Sequence, residues 1–277
     1  MKLGKLFGWA ITAVLSLYAV IVIYPMVWLL LTSLKTNREI FAAPWSVPAS
    51  LQWRNYAVAW REAGIGRYFF NSVLVSFTSL FFILLIGSLA AYVLARFAFR
   101  GRSLIYSLFL GGMMFPIFLG IVPLFLLLGR LGLLNTRLGL VLVYIAYSLS
   151  FTIFVLTGFF KTIPTELQEA GLIDGCSHFG AFFRIMLPLA KPGLMTAGIF
   201  NFFGLWNEYP LALVIISDNQ LRTLPLGIAN LLMVQQYKTD WGALFAGLML
   251  VMIPTILVYA LFQRQITEGI SVGALKG

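Results

Sequence analysis

Residues Thr162 to Pro192 read TIPTELQEAGLIDGCSHFGAFFRIMLPLAKP, a polar stretch set between apolar runs of membrane length. Thr165 followed by Gln168 has the spacing of a capping box, and Pro164 suits the edge of a first helical turn, so a short helix is expected here. Asp174-Gly175 should close it, because glycine accepts the left-handed conformation without a Cβ penalty. Ser177 suits the N-cap of a second helix in which Phe179, Phe182, Phe183 and Met186 recur at helical spacing, and Pro188 should stop that helix. Two helices this short with one apolar face cannot fold alone, so the stretch needs a partner.

Working outward, the chain is 61% hydrophobic and 10% charged over 277 residues, a balance that fits a polytopic membrane protein. Six apolar runs, at about 8–31, 68–95, 103–129, 138–160, 193–216 and 242–262, each exceed the roughly 20 residues a spanning helix needs. None alternates with period two, which excludes a membrane β-barrel. The first run is too long for a signal-peptide core and shows no small-residue cleavage site, so it is expected to remain as the first span. The expected fold is an all-α membrane protein with six transmembrane helices. The net charge of +10 comes from 19 basic residues scattered over membrane-flanking loops, which anchor the chain beside lipid and form no patch for nucleic acid. Cys176 is the one cysteine and His178 the one histidine, so no internal disulfide, metal cluster or histidine-based triad can be drawn. No G-x-x-x-x-G-K-[ST] loop is present, and the chain is expected neither to hydrolyse ATP nor to bind a cofactor itself.

Glu169-Ala170-Gly171, then Gly175 after three residues, then Ile185-Met186-Leu187-Pro188 after nine more, resemble the EAA loop of ABC importer permeases. That family usually has Ala at the third position; Gly171 keeps close packing possible while weakening the helix by about 1 kcal/mol. Arg67-Tyr68-Phe69-Phe70-Asn71-Ser72, Thr223-Leu224-Pro225-Leu226-Gly227, Thr239-Asp240-Trp241-Gly242, Gln263-Arg264 and Gly273-Ala274-Leu275-Lys276-Gly277 are similar to its carbohydrate-uptake branch, related to the smaller maltose-permease subunit. The resemblance covers about residues 10 to 277 and implies the type I importer permease fold. It implies that 161–192 is a cytoplasmic coupling loop docking into a groove on an ATP-hydrolysing subunit, where ATP and magnesium bind. It also implies a second related permease, two ATP-binding subunits, an extracytoplasmic solute-binding protein, and a sugar or related polyhydroxylated solute. Carried onto this chain, the coupling residues are Glu166, Glu169, Ala170, Gly171, Asp174, Gly175, Phe182, Ile185, Leu187 and Pro188. Glu169 would meet basic groups on the partner, Gly175 would allow the turn, and the Phe and Met face would fill the groove.

On this reading residues 1–67 hold the first span and an outer loop, 68–262 the permease core, and 263–277 a cytoplasmic tail whose small ending suggests flexibility. Six spans place both termini on one side. Basic residues divide ten to nine between the sides, but the dense Arg96, Arg100, Arg102 turn and the basic N-terminus favour the cytoplasm for the termini, in a bacterial or archaeal cytoplasmic membrane. Prolines at 25, 116, 123, 210 and 254 fall within spans and invite kinks.

An ionisable residue inside a span is a functional-site hypothesis by default, and Glu208 lies roughly 22 Å along a hydrocarbon core about 30 Å thick. Asn201, Gly204 and Glu208 share a helix face at i, i+3 and i+7, with Asn207, Tyr209 and Trp206 beside them; the face is either part of a transport path or a structural contact. Asn71, next to Ser72, is likewise either a path residue or an interhelical hydrogen bond. Trp53, Tyr56 and Trp60 suggest an interfacial amphipathic helix, as an anchor or as a surface for the binding protein. Competing readings are an ABC permease for a non-sugar solute and a proton-coupled secondary transporter using Glu208. A membrane-embedded enzyme is opposed by the absence of clustered catalytic groups in the spans.

Overall fold

A computed structural model describes the backbone of residues 2–238 and 240–274, with side chains for 7–233 and 240–265. Thr239 and residues 275–277, both within stretches that carried the resemblance, lie outside the described residues. Every described element is helical: α1 (Lys2–Ser33), α2 (Asn37–Ala42), α3 (Arg54–Arg61), α4 (Ile65–Arg96), α5 (Arg102–Met114), α6 (Ile117–Arg130), α7 (Arg137–Thr162), α8 (Thr165–Ile173), α9 (His178–Ala181), a π-helical turn (Phe182–Met186), α10 (Leu187–Leu189), α11 (Lys191–Trp206), α12 (Pro210–Ile215), α13 (Leu224–Lys238) and α14 (Trp241–Ala274). α14 stays helical through Ala274, so the expected flexible tail is helix up to that point.

Four helices are long and apolar enough to cross a membrane unbroken: Phe7–Ser33, Ile65–Arg96, Arg137–Thr162 and Trp241–Gln265. The third expected span is split into α5 and α6, bent by 102°. Pro116, the N-cap of α6, has no N–H to continue α5 and holds Phe115 in an extended conformation. The fifth is split too, into the 16 residues of α11 and the six of α12, because Asn207, Glu208 and Tyr209 leave the helix before Pro210 restarts it. Six apolar runs therefore become four continuous helices, one bent pair and one broken run. Pro25, Pro123 and Pro254 lie inside continuous helices.

The chain divides into two compact units, residues 1–67 with 227–253, and 68–226 with 254–277. In the first, the apolar side chains of α1 are exposed from Phe7 to Val27. The loop after it is closed by polar staples. Lys35 is fully buried, and its ammonium donates to the carbonyls of Ala43 (3.0 Å) and Pro44 (2.9 Å). The Asn55 amide donates to the carbonyls of Ser33 and Lys35, both at 2.9 Å. Gly242 packs so close to Asn55 that a Cβ there would fall 2.6 Å from its amide nitrogen. α3 forms where the aromatic spacing suggested a helix, but of the three rings Tyr56 turns inward. Tyr56 hydrogen-bonds the Ser33 hydroxyl at 2.7 Å, and Trp60 lies against Gly66 while staying, like Trp53, exposed. Trp45 instead stacks on Tyr24 of α1.

In the second unit α7 is the most buried span. A Cβ on Gly87 would meet the Thr152 methyl at 2.6 Å, and one on Gly193 the Phe159 ring at 2.5 Å. Small residues thus bring α4 and α11 against α7, as membrane helices require when packing rather than hydrophobicity drives association. One apolar cluster gathers Ile83, Leu140, Tyr144, Leu205 and Leu211; another gathers Tyr92, Leu156, Phe160, Phe182 and Met186.

A complete capping box stands at Thr36 and Glu39. Glu39 accepts from the Thr36 N–H at 2.8 Å and from its hydroxyl, and its other oxygen accepts from the Ala49 N–H at 3.0 Å. The Thr36 and Ala49 amides hold the carboxyl below the usual carboxylate range. Because the folded value is depressed, the contribution is complete above the unfolded value and is lost as pH falls through the folded one. Amide exchange at Thr36 and Ala49, relative to intrinsic rates, should stay slow at neutral pH and accelerate only below that range; Glu39→Gln should raise it at neutral pH.

Candidate functional site

In the second compact unit the 162–192 stretch folds as short helices joined by a glycine turn and packed on α4 and α7. α8 starts at Thr165 behind Pro164, which makes no side-chain cap, so the expected box between Thr165 and Gln168 does not form. The Thr165 hydroxyl accepts instead from Arg96 at 3.0 Å, and Gln168 is buried. The far end closes as a complete Schellman motif: the Cys176 N–H reaches the Gly171 carbonyl at 3.0 Å, the Gly175 N–H reaches Leu172 at 3.1 Å, and Gly175 has φ +87°. Ser177 then caps α9, its hydroxyl accepting from the Gly180 N–H at 3.1 Å.

Pro188 does not stop the second helix. The turn at Phe182–Met186 widens to π spacing, with the Leu187 N–H reaching the Phe182 carbonyl, and the proline enters α10 after it. A proline in an α-helix would strike the carbonyl four residues back, and the wider turn moves that carbonyl away. The expected apolar face also divides. Phe182 and Met186 are buried, with Phe182 packed on Tyr92 and Phe160, whereas Phe179 and Phe183 are exposed. Phe182 therefore holds the loop to α4 and α7 and cannot fill a partner's groove. Gly171 is buried as well: a Cβ there would fall 2.2 Å from Ile185 Cδ1, so the glycine lets α8 close onto the π turn. Glu166, Glu169, Ala170, Asp174, Gly175 and Pro188 are exposed, and Ile185 and Leu187 half-buried. Ile173, 84% exposed, adds an apolar contact to the acidic surface of α8.

A cleft of about 530 Å³ lies elsewhere in the same unit, lined by Tyr144, Tyr147, Ser148, Asn201, Gly204 and Glu208 among others. Both helix breaks border it, since Met113 and Ile117 flank the α5–α6 bend and Glu208 and Pro210 the α11–α12 break. Broken helices are tolerated at membrane depth where they line a cavity and side chains meet the freed backbone groups. Glu208 meets them. It accepts from the N–H of Leu211 (2.6 Å) and Ala212 (3.1 Å), and from the Tyr144 hydroxyl (2.6 Å).

Asn201, Gly204 and Glu208 are thus brought together at the cleft; Asn71, Asn207 and Tyr209 are not among the residues lining it. Asn201 donates to the Thr152 hydroxyl and the Ala197 carbonyl, both at 2.8 Å. Asn207 donates to Phe203, and Tyr209 packs against the apolar cluster. Asn71 staples α4 to the α12–α13 connection and to α7: it donates to the carbonyls of Gln220 (2.8 Å) and Arg222 (2.9 Å) and accepts from Arg137 (3.1 Å), while neighbouring Ser72 accepts from the Leu224 N–H. Tyr144, Ser148 and Thr152, which the sequence reading passed over, form an i, i+4, i+8 polar stripe on α7 that their spacing could have revealed. Among the described residues no group of three or more His, Cys, Asp or Glu could hold a metal ion.

Residues 83–272 match the family described as binding-protein-dependent transport system inner membrane component. The diacetylchitobiose uptake system permease protein NgcG of Streptomyces coelicolor is 47% identical over 264 residues, covering 95% of this chain and 87% of that protein. The sulfoquinovosyl glycerol transport system permease protein SmoH of Agrobacterium fabrum is 38% identical over 257 residues, covering 92% and 89%. A chain in the crystal structure of a bacterial ABC transporter involved in import of the acidic polysaccharide alginate matches with a TM-score of 0.83 at 22% identity, covering 94% of this chain and 96% of that one, and so shares its fold. The chain belongs to the binding-protein-dependent transport system inner membrane component family: it is a permease subunit of an ABC importer and not the enzyme that hydrolyses ATP.

Proposed function

We propose that this permease imports a sugar or oligosaccharide across a bacterial or archaeal cytoplasmic membrane, with both termini and the 162–192 loop on the cytoplasmic side. The observation that carries the coupling role is the exposed surface of α8 and α9. Glu166, Glu169, Ala170, Ile173 and Phe179 stand outward on a loop that Phe182 and Met186 anchor within the chain. Such a surface suits a groove with basic groups on an ATPase subunit, where ATP and magnesium would act. A second homologous permease, two ATP-binding subunits and an extracytoplasmic solute-binding protein complete the proposed assembly. The carbohydrates named for the relatives support a sugar, as do Tyr144, Tyr147, Ser148 and Asn201 around the cleft, whose rings and polar groups suit a polyhydroxylated solute.

In the proposed cycle, closure of the ATPase pair displaces α8 and α9 as a rigid piece, and the spans exchange between two states. Nucleotide biases that exchange on one side and the loaded binding protein on the other. The cleft residues Asn201, Gly204 and Glu208 remain candidates for the path, with Glu208 acting also as the acceptor that starts α12.

Glu169→Lys tests the docking surface. Like charges at an interface cost several kcal/mol, so ATPase binding should weaken on the order of a hundredfold, with the exposed site leaving the fold intact; pull-down and binding-protein-stimulated ATP hydrolysis read it out. Unchanged binding would remove Glu169 from the interface and count against docking on the α8 surface. Glu208→Ala leaves three donors without their acceptor and should lower stability on the order of 2 kcal/mol or more, read as lower thermal stability and faster amide exchange at Leu211 and Ala212. Uptake should fall with it.

A further inference from the structure

We propose that Arg96 is the positioning residue that ties the 162–192 loop to the spans, so that α4, α7 and α8 move as one body; this rests on the reading that the loop docks an ATPase. Arg96 is the last residue of α4. Its Nη1 donates to the hydroxyl of Thr165, the first residue of α8, and its Nη2 to the carbonyl of Ile163, the C-cap residue of α7. Only Ile163 and Pro164 separate α7 from α8, so one guanidinium bridges both sides of a two-residue hinge. Left alone, such a hinge would let α8 swing without moving α7.

The chemistry suits arginine. A planar guanidinium presents two divergent donors in fixed geometry, which a lysine ammonium cannot reproduce, and a cation beside the carbonyls ending α7 is favoured by the helix dipole. Glu166, in the first turn of α8, attracts the same guanidinium. One turn back on α4, the Tyr92 ring packs against Phe160 of α7 and Phe182 of the π turn, so an apolar contact backs the polar one.

Among the described residues the Tyr92 hydroxyl and Arg96 Nε on α4 and Gln168 Oε1 on α8 are buried without a hydrogen-bond partner. Buried polar groups are nearly always paired, so the joint keeps hydrogen-bonding capacity that its present arrangement does not use.

The test uses the assembled, ATP-hydrolysing complex, with spin labels at Leu142→Cys on α7 and Leu167→Cys on α8 in a Cys176→Ser background, both exposed positions. Electron–electron distances are compared between nucleotide-free and vanadate-trapped states. With Arg96 present, the distribution should be narrow and the same in both states. Arg96→Gln should broaden it and shift it between states by roughly 5 Å, one helical turn. Arg96→Lys should restore part of the rigidity, and Thr165→Val should lose part. If Arg96→Gln does not assemble, Arg96→Lys and Thr165→Val carry the same comparison. A distance that already changes between states with Arg96 in place, or variants indistinguishable from the parent, would overturn the clamp. ATPase binding that survives Glu169→Lys would strike the docking reading instead, so the two failures are separable.

Discussion

A backbone that leaves helical geometry in or beside a membrane must find partners for its N–H and C=O groups within the protein. This chain leaves it repeatedly, and a polar or charged side chain answers at several of those places. The Glu208 carboxylate takes the N–H groups at the start of α12, the Asn71 amide takes the carbonyls of Gln220 and Arg222, and Lys35 takes those of Ala43 and Pro44. Arg96 does the same for Ile163. At these four breaks a polar or charged side chain takes up the backbone groups that the helix leaves.

That arrangement bears on function. Interrupted helices border the cleft in the second unit, so at the α11–α12 break the group that repairs the backbone also lines the space through which a solute is proposed to pass. Glu208 illustrates the overlap, since a residue that starts a helix faces the cavity as well. At the 162–192 loop the division of labour is clearer. Buried Gly171, Phe182 and Met186 hold the loop's shape, and exposed Glu169, Ile173 and Phe179 remain available to a partner.

Much of this was legible in the sequence. The apolar runs located the spans, Ser177 and Asp174-Gly175 marked a helix start and stop with a local chemical reason, and the loop pattern pointed to the family. What was not legible depended on tertiary partners. A Thr-x-x-Gln spacing suggested a capping box, but Arg96 from a distant helix took the threonine hydroxyl, while the Thr36-x-x-Glu39 spacing went unread and formed one. Helical periodicity placed four apolar residues on one face of the second loop helix, and only the packing of Tyr92 and Phe160 decided that Phe182 and Met186 would be buried and Phe179 exposed. Run length gave six spans because hydropathy does not register a 102° bend at Pro116 or a three-residue gap at Glu208.

The central claim is that the 162–192 loop is the surface on which the ATP-hydrolysing subunit docks. Its most direct test is a photo-crosslinker placed at Phe179 in the assembled importer, with one at Trp45 as the control. The account predicts an ATP-sensitive adduct with the ATPase subunit from position 179 and none from position 45. An adduct between position 179 and the solute-binding protein, or an ATPase adduct from position 45 alone, would contradict it.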